Sequence, residues 1–326
     1  MELRTTLNIE PSPDKIAYSD HVMFIGSCFA SEIGSQLENG KMQVMINPAG
    51  TVYNPVSVIN TLDTIISGKN FTRDDLQLYQ GKWLSFSHYT DFSDRDPEKA
   101  LDKINRKTIE AKEFLKKAKY LFVTFGTARV YRLKETGAIV SNCHKLPADH
   151  FERELLSVIN IVNVWTRQLE KLNSLFPGLK IIFTISPVRH WKDGAHGNQV
   201  SKSVLFLAVE ELLNLPFSTG YFPAYELMMD DLRDYRFYAD DMIHPTQLAV
   251  DYIWEAFSEC YMDRKTVEIW KEASKILKAS RHRLREPGSG TKHFAENMIS
   301  KIKRLEAHVP GIDFTPEKQY FENLIH

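Results

Sequence analysis

A serine, an aspartate and a histidine stand where they could form a catalytic triad. Ser27 follows a short apolar run and Gly26, at the point where a buried strand would end and a helix begin. More than two hundred residues later, Asp241 and His244 are three positions apart, just before a predicted helix. A serine hydroxyl becomes nucleophilic when an imidazole takes its proton and a carboxylate orients the imidazole. This chemistry would suit acyl transfer from an ester.

Two other interpretations of this turn remain open. Ser27 could simply cap the helix predicted over 28–39, which serine often does. Cys28 could be the nucleophile, because a helix N-terminus lowers the pKa of a thiol. We prefer Ser27, because it occupies the turn itself. A helical step of about 100° would direct Cys28 into packing.

The composition excludes several classes of function. The chain has 326 residues, 43% of them hydrophobic, and a formal charge of -1, so a large core is possible. With no basic excess, we expect no nucleic-acid partner and no attraction to anionic membranes. Neither GxxxxGKS nor GxGxxG occurs, so we expect no nucleotide cofactor. The cysteines form no CxxC pair, and no signal segment or long apolar run is present; these features predict a cytoplasmic protein.

Alternating patterns along the chain predict an α/β fold. Short apolar runs at 21–26, 41–48, 119–126 and 179–187 predict buried strands, each followed by helical periodicity. Helices are predicted over 97–118, 151–174 and 246–261, and hairpins within 71–92 and 130–144. We expect one domain over 1–263 and a helical extension over 264–326 packed on it, whose basic residues form a solvated face.

Five segments resemble a known family. GSCFA (26–30), NPAGTVYNP (47–55), TFGTARVY (124–131), SPVRH (186–190) and DLRDYRFYADDMIHP (231–245) are similar to the GSCFA-domain proteins of bacteria, a branch of the SGNH/GDSL hydrolases. The resemblance covers about residues 20–260. It implies a flavodoxin-like, three-layer α/β/α sandwich with a mainly parallel sheet. It also implies Ser27 as nucleophile, His244 as base and Asp241 as the orienting acid.

The same resemblance implies an oxyanion hole, but one donor is missing. The Cys28 N–H, with Gly50 from the second block and Gly126 from the third, would supply backbone donors. SGNH enzymes add an asparagine from the third block, yet alignment at Gly126 places Ala128 at that position. A replacement could come from Asn54 or Asn142, or from Thr127 or Arg129. Otherwise the hole is incomplete, and losing one donor slows such a reaction by ~10²–10³.

The remaining candidates concern the substrate. Arg129, Thr127, Arg189, His190 and Asn142 are predicted to contact it, with 186–203 as a mobile loop over the pocket. A metal site in that loop is the less favoured interpretation. The resemblance implies a serine esterase acting on a small acyl ester, such as an O-acetyl group on a carbohydrate. The alternatives are an acyltransferase to a sugar hydroxyl and a binding module without catalysis.

Overall fold

The computed structural model describes residues 5–281 and 289–325, and the chain divides there into two compact units. The first takes residues up to Ile9, His21–Gly34 and Met45–Glu255. The second takes Glu10–Asp20, Ser35–Val44 and the chain from Ala256 onward. The predicted extension 264–326 falls in the second unit, apart from 282–288 and 326, which lie outside the described residues. Its packing on the rest of the chain stays a prediction.

The described residues form ten strands and ten α-helices. The strands are β1 His21–Gly26, β2 Val44–Ile46, β3 Gln77–Tyr79, β4 Lys82–Leu84, β5 Ala118–Phe125, β6 Arg129–Leu133, β7 Ile139–Val140, β8 Phe151–Leu155, β9 Lys180–Ile185 and β10 Thr219–Tyr221. The helices are α1 Cys28–Asn39, α2 Pro55–Ser67, α3 Pro97–Leu115, α4 Val158–Leu175, α5 Gly194–Leu213, α6 Ala224–Glu226, α7 Gln247–Tyr261, α8 Arg264–Arg281, α9 Ser289–His308 and α10 Thr315–Asn323.

A parallel five-stranded sheet forms the centre of the first unit and confirms the predicted fold class. Its strand order is β10-β9-β5-β1-β2. In the register, Gly26 of β1 lies beside Thr124 of β5, and Thr124 lies beside Thr184 of β9. These three strands therefore end at one edge, and the segments that follow them emerge there together. Ligands bind at this edge in open parallel sheets.

The sheet is buried because its strands are apolar on both faces. On one face, Trp165 of α4 packs edge-on against Phe125 and Phe183, with ring centroids 5.3 and 5.2 Å away. The Trp165 indole N–H also donates to the Pro55 carbonyl at 3.2 Å, which ties α4 to the start of α2. Each large side chain buried in this way contributes roughly 1.5–3 kcal/mol. The resulting three-layer α/β/α core holds the strand ends in place.

The hairpins are confirmed, but one predicted helix begins too early. Strands β3 and β4 pair through Gln80-Gly81, whose positive φ angles of 47° and 74° fit a tight hairpin turn. Strands β6 and β7 pair antiparallel, and β8 adds to the other side of β6. Residues 151–155 were predicted as helix and are this strand instead. Helix α4 starts only after Ser157, whose side chain accepts from the Asn160 N–H.

The prediction of a mobile loop over 186–203 is wrong for most of that segment. Residues 191–193 form a 3₁₀ turn, and α5 begins at Gly194. Two buried polar residues of α5 hold this segment. The Asn198 side chain accepts from the His190 N–H at 2.9 Å, and the Ser201 hydroxyl accepts from the Ala128 N–H at 2.8 Å. These tertiary contacts hold the segment in an ordered conformation.

The second unit has a helical core of its own. Residues of α8, α9 and α10 pack together around the buried Ile302, Phe314 and Phe321. Lys41 forms an ion pair with Glu317 at 2.7 Å within the same unit. None of the helices in the described ranges is long and apolar enough to cross a membrane.

Candidate active site

The turn that carries Ser27 is pressed against the neighbouring strand. Gly26 ends β1 with a φ of +149°, and a Cβ placed on it would lie 2.2 Å from the carbonyl oxygen of Thr124. The Ser27 N–H donates to that same oxygen at 3.1 Å. Only glycine permits both the backbone angle and this approach. The position of Ser27 is therefore set by strand pairing.

Asn47 holds the turn from the other side, and the sequence alone did not single it out as functional. Its side-chain Oδ1 accepts from the Gly26 N–H at 2.8 Å, and its Nδ2 donates to the Ser31 hydroxyl at 2.8 Å. The Val52 N–H donates to the Gly26 carbonyl at 3.0 Å. The NPAGTVYNP segment thus clamps the serine turn. In the sequence, the position of Asn47 at the start of NPAGTVYNP was the only feature that pointed to this role.

The Ser27 hydroxyl is buried and has no hydrogen-bond partner among the described residues. The residue is 1% exposed, and α1 begins at the next position. A capping serine would accept a backbone N–H from the first turn of the helix, so side-chain capping is not its role here. An unpaired buried hydroxyl costs roughly 1–3 kcal/mol and calls for an explanation outside stability.

Asp241 and His244 form the close pair that the DxxH spacing predicts. Asp241 Oδ2 lies 2.6 Å from His244 Nδ1, and Oδ1 accepts from the backbone N–H groups of Ile243 and His244, each at 2.9 Å. Hydrogen bonds from the His244 backbone and ring, and then from Ile243, lower the pKa of Asp241 to about 2. The carboxylate is therefore ionised at neutral pH and holds the Nδ1 side of the imidazole.

A cleft of about 870 Å³ lies between the loops that follow β1, β5 and β9, and Cys28 and His244 both line it. Ser27 is not one of its lining residues, and no hydrogen bond joins Ser27 to His244 in the described structure. The imidazole thus opens on the same cleft as the first residue of α1. The contact between the Ser27 hydroxyl and the imidazole stays a prediction. Another hollow, about 500 Å³, is lined by charged residues around α3 and contains no nucleophile.

Cys28 faces the cleft, contrary to the expectation that it would pack inside. The 100° argument assumed that residue 27 is helical, but α1 begins at Cys28, so Ser27 lies before the helix. The thiol is not activated, however. Burial, and then the carboxylate of Glu32, raise the pKa of Cys28 above the ordinary thiol value. A protonated thiol is a weak nucleophile.

Most of the predicted oxyanion donors already have other partners. The Gly50 N–H donates to the Asn47 carbonyl at 2.7 Å, and the Gly126 N–H donates to the Tyr53 carbonyl at 2.7 Å. Asn54 caps α2, because its Oδ1 accepts from the Ser57 N–H and its Nδ2 donates to the Ser57 hydroxyl. In this structure these groups hold the cleft walls together.

Two of the other proposed substitutes for the missing asparagine, Asn142 and Thr127, also have partners already. Asn142 accepts from the His144 N–H at 2.9 Å and donates to Thr90 at 3.4 Å. The Thr127 hydroxyl lies 2.9 Å from the Ser201 hydroxyl and accepts from the Arg129 N–H at 3.1 Å. All three predicted residues, Asn142, Thr127 and Arg129, nevertheless line the cleft.

His190 lies in the segment after β9, against Gly126 at the end of β5, and lines the same cleft. Its Nε2 is 3.0 Å from the position that a Cβ on Gly126 would occupy, and its ring meets Tyr53 edge-on at 5.3 Å. Burial, with smaller contributions from Lys202, Arg153 and His244, lowers the pKa of His190 to about 4. The imidazole is therefore neutral at pH 7.

The amine of Lys202 is buried behind His190 and its neighbours. It is fully buried, and its Nζ donates to the Ser186 carbonyl at 2.6 Å. Burial lowers the pKa of Lys202 to about 7. Sequence inspection did not select it, because a single lysine in a helix carries no signal of its burial. Among the described residues no group of three or more histidine, cysteine or acidic side chains could hold a metal ion.

Comparison with known proteins adds one finding to this geometry. No curated protein and no solved structure matches the chain. The model of the GSCFA family matches residues 21–257, which include the serine turn, the cleft and the Asp241–His244 pair. The chain therefore belongs to the GSCFA family.

Proposed function

We propose that this protein is a serine hydrolase of the SGNH type, which cleaves a small acyl ester such as an O-acetyl group on a carbohydrate. The Asp241–His244 pair carries the proposal. Its ring nitrogen and carboxylate are 2.6 Å apart, and His244 opens on the cleft that the residue next to Ser27 also lines. Membership in the GSCFA family and the unpaired Ser27 hydroxyl support the same function.

The first half of the reaction needs a base on the hydroxyl. His244 Nε2 accepts the proton of the Ser27 hydroxyl while Oγ attacks the ester carbonyl carbon. The imidazolium that forms is stabilised by ionised Asp241 on Nδ1. The tetrahedral intermediate then collapses, the bond to the alcohol oxygen breaks, and His244 gives its proton to that oxygen. An acyl-enzyme on Ser27 remains.

Water completes the cycle by the same route in reverse. His244 takes a proton from water, the hydroxide oxygen attacks the acyl carbon, and collapse releases the carboxylic acid as Ser27 recovers its proton. If a sugar hydroxyl replaces water, the product is a new ester. Product analysis with and without a carbohydrate acceptor separates hydrolysis from transfer.

One step must occur before attack, because Ser27 and His244 are not hydrogen-bonded in this structure. Catalytic hydrogen bonds are often long or poorly aligned without substrate and tighten in the complex. We expect substrate binding to bring the Ser27 hydroxyl to the cleft. The unpaired state of that hydroxyl favours such a change, because no hydrogen bond has to be broken.

The buried hydroxyl also supports a second candidate, a binding module that has the fold without efficient turnover. The two candidates differ in the reactivity of Ser27. A fluorophosphonate probe labels an activated serine. Labelling at Ser27, located by mass spectrometry, supports the hydrolase, and folded protein that stays unlabelled supports the binding module.

Turnover of p-nitrophenyl acetate tests the proposal directly. We expect Ser27→Ala to lose hydrolysis, while Ser274→Ala retains it. Ser274 is the matched control, because its hydroxyl in α8 is likewise buried without a hydrogen-bond partner. Cys28→Ala should also remain active. Equal rates for Ser27→Ala and the wild type would remove Ser27 as the nucleophile.

We also propose that the protein resides in the cytoplasm. Cys28, Cys143 and Cys260 are all free in the structure, which supports a reducing compartment.

A further inference from the structure

The cleft has an excess of positive charge that the whole chain does not share. Its lining includes the cationic residues Arg129, Lys145, Arg153, Arg189 and Lys192, and one carboxylate, that of Asp193. The chain as a whole has a formal charge of -1. Cations gathered in a recess with low-dielectric walls focus the electrostatic field and raise the local concentration of anions.

Two of these arginines share the one carboxylate. The Nε of Arg129 is 3.4 Å from Asp193 Oδ1, and Nη2 of Arg153 also contacts Oδ1. The Asp193 side chain is fully buried, so it acts within the wall and does not face the solvent. One negative charge between two guanidinium groups leaves positive charge at this side of the cleft.

Arg189 has no carboxylate partner at all in the described part of the chain. It is partly buried, and its hydrogen-bond partner is the thioether sulfur of Met229, 3.8 Å from Nη2. A thioether is a weak acceptor and carries no charge. A guanidinium at a cleft wall has a planar fork of donors that matches a carboxylate or a phosphate.

Arg132, by contrast, pairs with the carboxylate of Glu154 at 2.8 Å. Arg189 has no such pair, although its guanidinium is partly buried at the cleft wall. An anion from outside the chain is the partner that this arrangement lacks.

We propose that the cleft binds a substrate whose non-reacting part carries a carboxylate or a phosphate, with Arg189 as the residue that selects it. That the substrate is an ester rests on the proposed function. The anion site itself stands on the charges of the cleft.

Binding tests this inference without turnover. Calorimetric titration would compare glucuronate, glucose 6-phosphate and glucose on the wild-type protein, Arg189→Gln and the control Arg106→Gln. Arg106 has the same charge but pairs with Asp102 on the exposed face of α3. We expect one of the anionic sugars to bind at least tenfold more tightly than glucose. The tighter one identifies the carboxylate or the phosphate.

A hydrogen bond to a charged group contributes ~1.5–3 kcal/mol, so Arg189→Gln should weaken that binding about 10- to 100-fold. The control should bind as the wild type does. Equal binding of all three sugars, no binding of any, or unchanged affinity in Arg189→Gln would overturn the inference.

Kinetics separates this inference from the proposed function. We expect mono-p-nitrophenyl succinate, which bears a free carboxylate, to exceed p-nitrophenyl acetate in kcat/KM, with the difference lost in Arg189→Gln. If neither ester is cleaved while glucuronate or glucose 6-phosphate binding depends on Arg189, hydrolysis fails and the anion site stands. If both esters are cleaved equally in the wild type and the variant, only the anion site fails.

A different observation concerns the missing oxyanion donor. His190 Nε2 lies 3.0 Å from the position that a Cβ on Gly126 would occupy. The imidazole is therefore next to the third sequence block, in which Ala128 stands at the position of the expected asparagine. The hydrogen bond that His190 forms within the described residues comes from its backbone N–H, which leaves the ring nitrogens available. The backbone is fixed by Asn198, and the Tyr53 ring supports the imidazole edge-on.

We infer that the Nε2–H of His190 donates to the oxyanion in place of the asparagine. This inference rests on the proposed function. The side chains of Asn54, Asn142 and Thr127 already have hydrogen-bond partners, as do the Gly50 and Gly126 N–H groups. Arg129 is ion-paired with Asp193. A neutral imidazole is a suitable donor in such a position, because it polarises a carbonyl without releasing its proton.

Substitutions at His190 test this role. Removing one oxyanion donor lowers kcat by ~10²–10³. We expect that loss for His190→Ala on p-nitrophenyl acetate, with KM nearly unchanged, and partial recovery in His190→Gln, whose amide can donate. His196→Ala, an exposed histidine on α5, should match the wild type.

The outcomes identify which claim fails. If His190→Ala keeps the wild-type kcat while Ser27→Ala is inactive, the donor role is wrong and the hydrolase stands. If His190→Gln is no better than His190→Ala and both raise KM alone, His190 only binds substrate and the donor role is again wrong. If Ser27→Ala keeps full activity, the proposed function fails first.

Discussion

His244 and Asp241 are joined twice, because Oδ2 of the carboxylate meets the imidazole Nδ1 at 2.6 Å and Oδ1 meets the His244 backbone N–H at 2.9 Å. One carboxylate thus fixes both the main chain and the ring of the same residue. The ring proton is held on Nδ1, and Nε2 is left to accept a proton. This is the arrangement that the proposed triad requires of its acid and its base.

Asp241→Asn should separate orientation from binding. The amide can present an N–H to Nδ1 and favour the wrong tautomer, so we expect a loss of about 10⁴ in kcat with little change in KM. The measurement is steady-state hydrolysis of p-nitrophenyl acetate at pH 7.5. Asp240→Asn, which changes the neighbouring exposed carboxylate, is the control and should retain wild-type rates. Similar losses in both variants would point to a general effect of charge on the loop.

Ser27→Ala should gain stability as it loses activity. Its hydroxyl is buried without a partner, so removing it relieves a penalty of roughly 1–3 kcal/mol, less the small loss of packing around one oxygen. Urea unfolding followed by circular dichroism measures the change in the free energy of unfolding. Ser274→Ala should show a gain in stability without loss of activity. A clearly destabilised Ser27→Ala would mean that the hydroxyl has a structural partner.

Gly126→Ala should damage catalysis more than folding. The added Cβ would lie 3.0 Å from His190 Nε2 and 3.3 Å from Tyr53, so the imidazole must move by a few tenths of an ångström. We expect kcat to fall at least tenfold, since small misplacements of catalytic groups can cost 10²-fold. The melting temperature should drop by only a few degrees. Gly137→Ala, at an open hairpin turn, tests whether strain alone has this effect, because its φ is +70° with no atom within 4 Å of the added Cβ.

Acid should destabilise the protein through two histidines, the buried His88 and the half-buried His190. Burial is the main cause that lowers the pKa of both His88 and His190 to about 4. Between pH 6.5 and 4 the unfolded chain binds protons that the folded chain does not, so the free energy of unfolding falls as the pH falls across this range. Each histidine contributes on the order of 3 kcal/mol at the acid end.

Urea unfolding between pH 4.5 and 7.5 measures this slope. We expect His88→Gln to flatten it, and His196→Gln, at an exposed position, to leave it unchanged. A wild-type slope in His88→Gln would show that other groups dominate the acid response.

The sequence predicted the sheet because its strands are apolar on both faces and are separated by helical periodicity. It misplaced the start of the helix that follows residue 151. The sequence FEREL (151–155) is compatible with a helix or a strand, and it forms a strand because it pairs with β6. The start of α5 at Gly194 was also not predicted, because two glycines in this segment suggested a loop. The contacts of Asn198 and Ser201 that hold the segment are made with residues distant in sequence or in the loop before the helix, and a sequence pattern does not reveal them.

The site was predictable where the chemistry lies in one short segment. Asp241 and His244 are three residues apart, so their pairing follows from spacing alone. The candidate oxyanion donors were harder to predict from the sequence, because the hydrogen bonds of Gly50, Gly126 and Asn54 depend on how loops from different strands meet. Asn47 and Lys202 went unnoticed for the same reason.

The approach of Gly26 to the Thr124 carbonyl has a consequence for evolution and for engineering. Any side chain at position 26 would meet main-chain atoms of the adjacent strand at 2.2 Å, and no rotamer can relieve that overlap. Libraries that vary this turn should leave it glycine. Segments 141–153 and 188–193 line the outer part of the cleft, and variation there can change which ligands the cleft accepts without displacing Ser27.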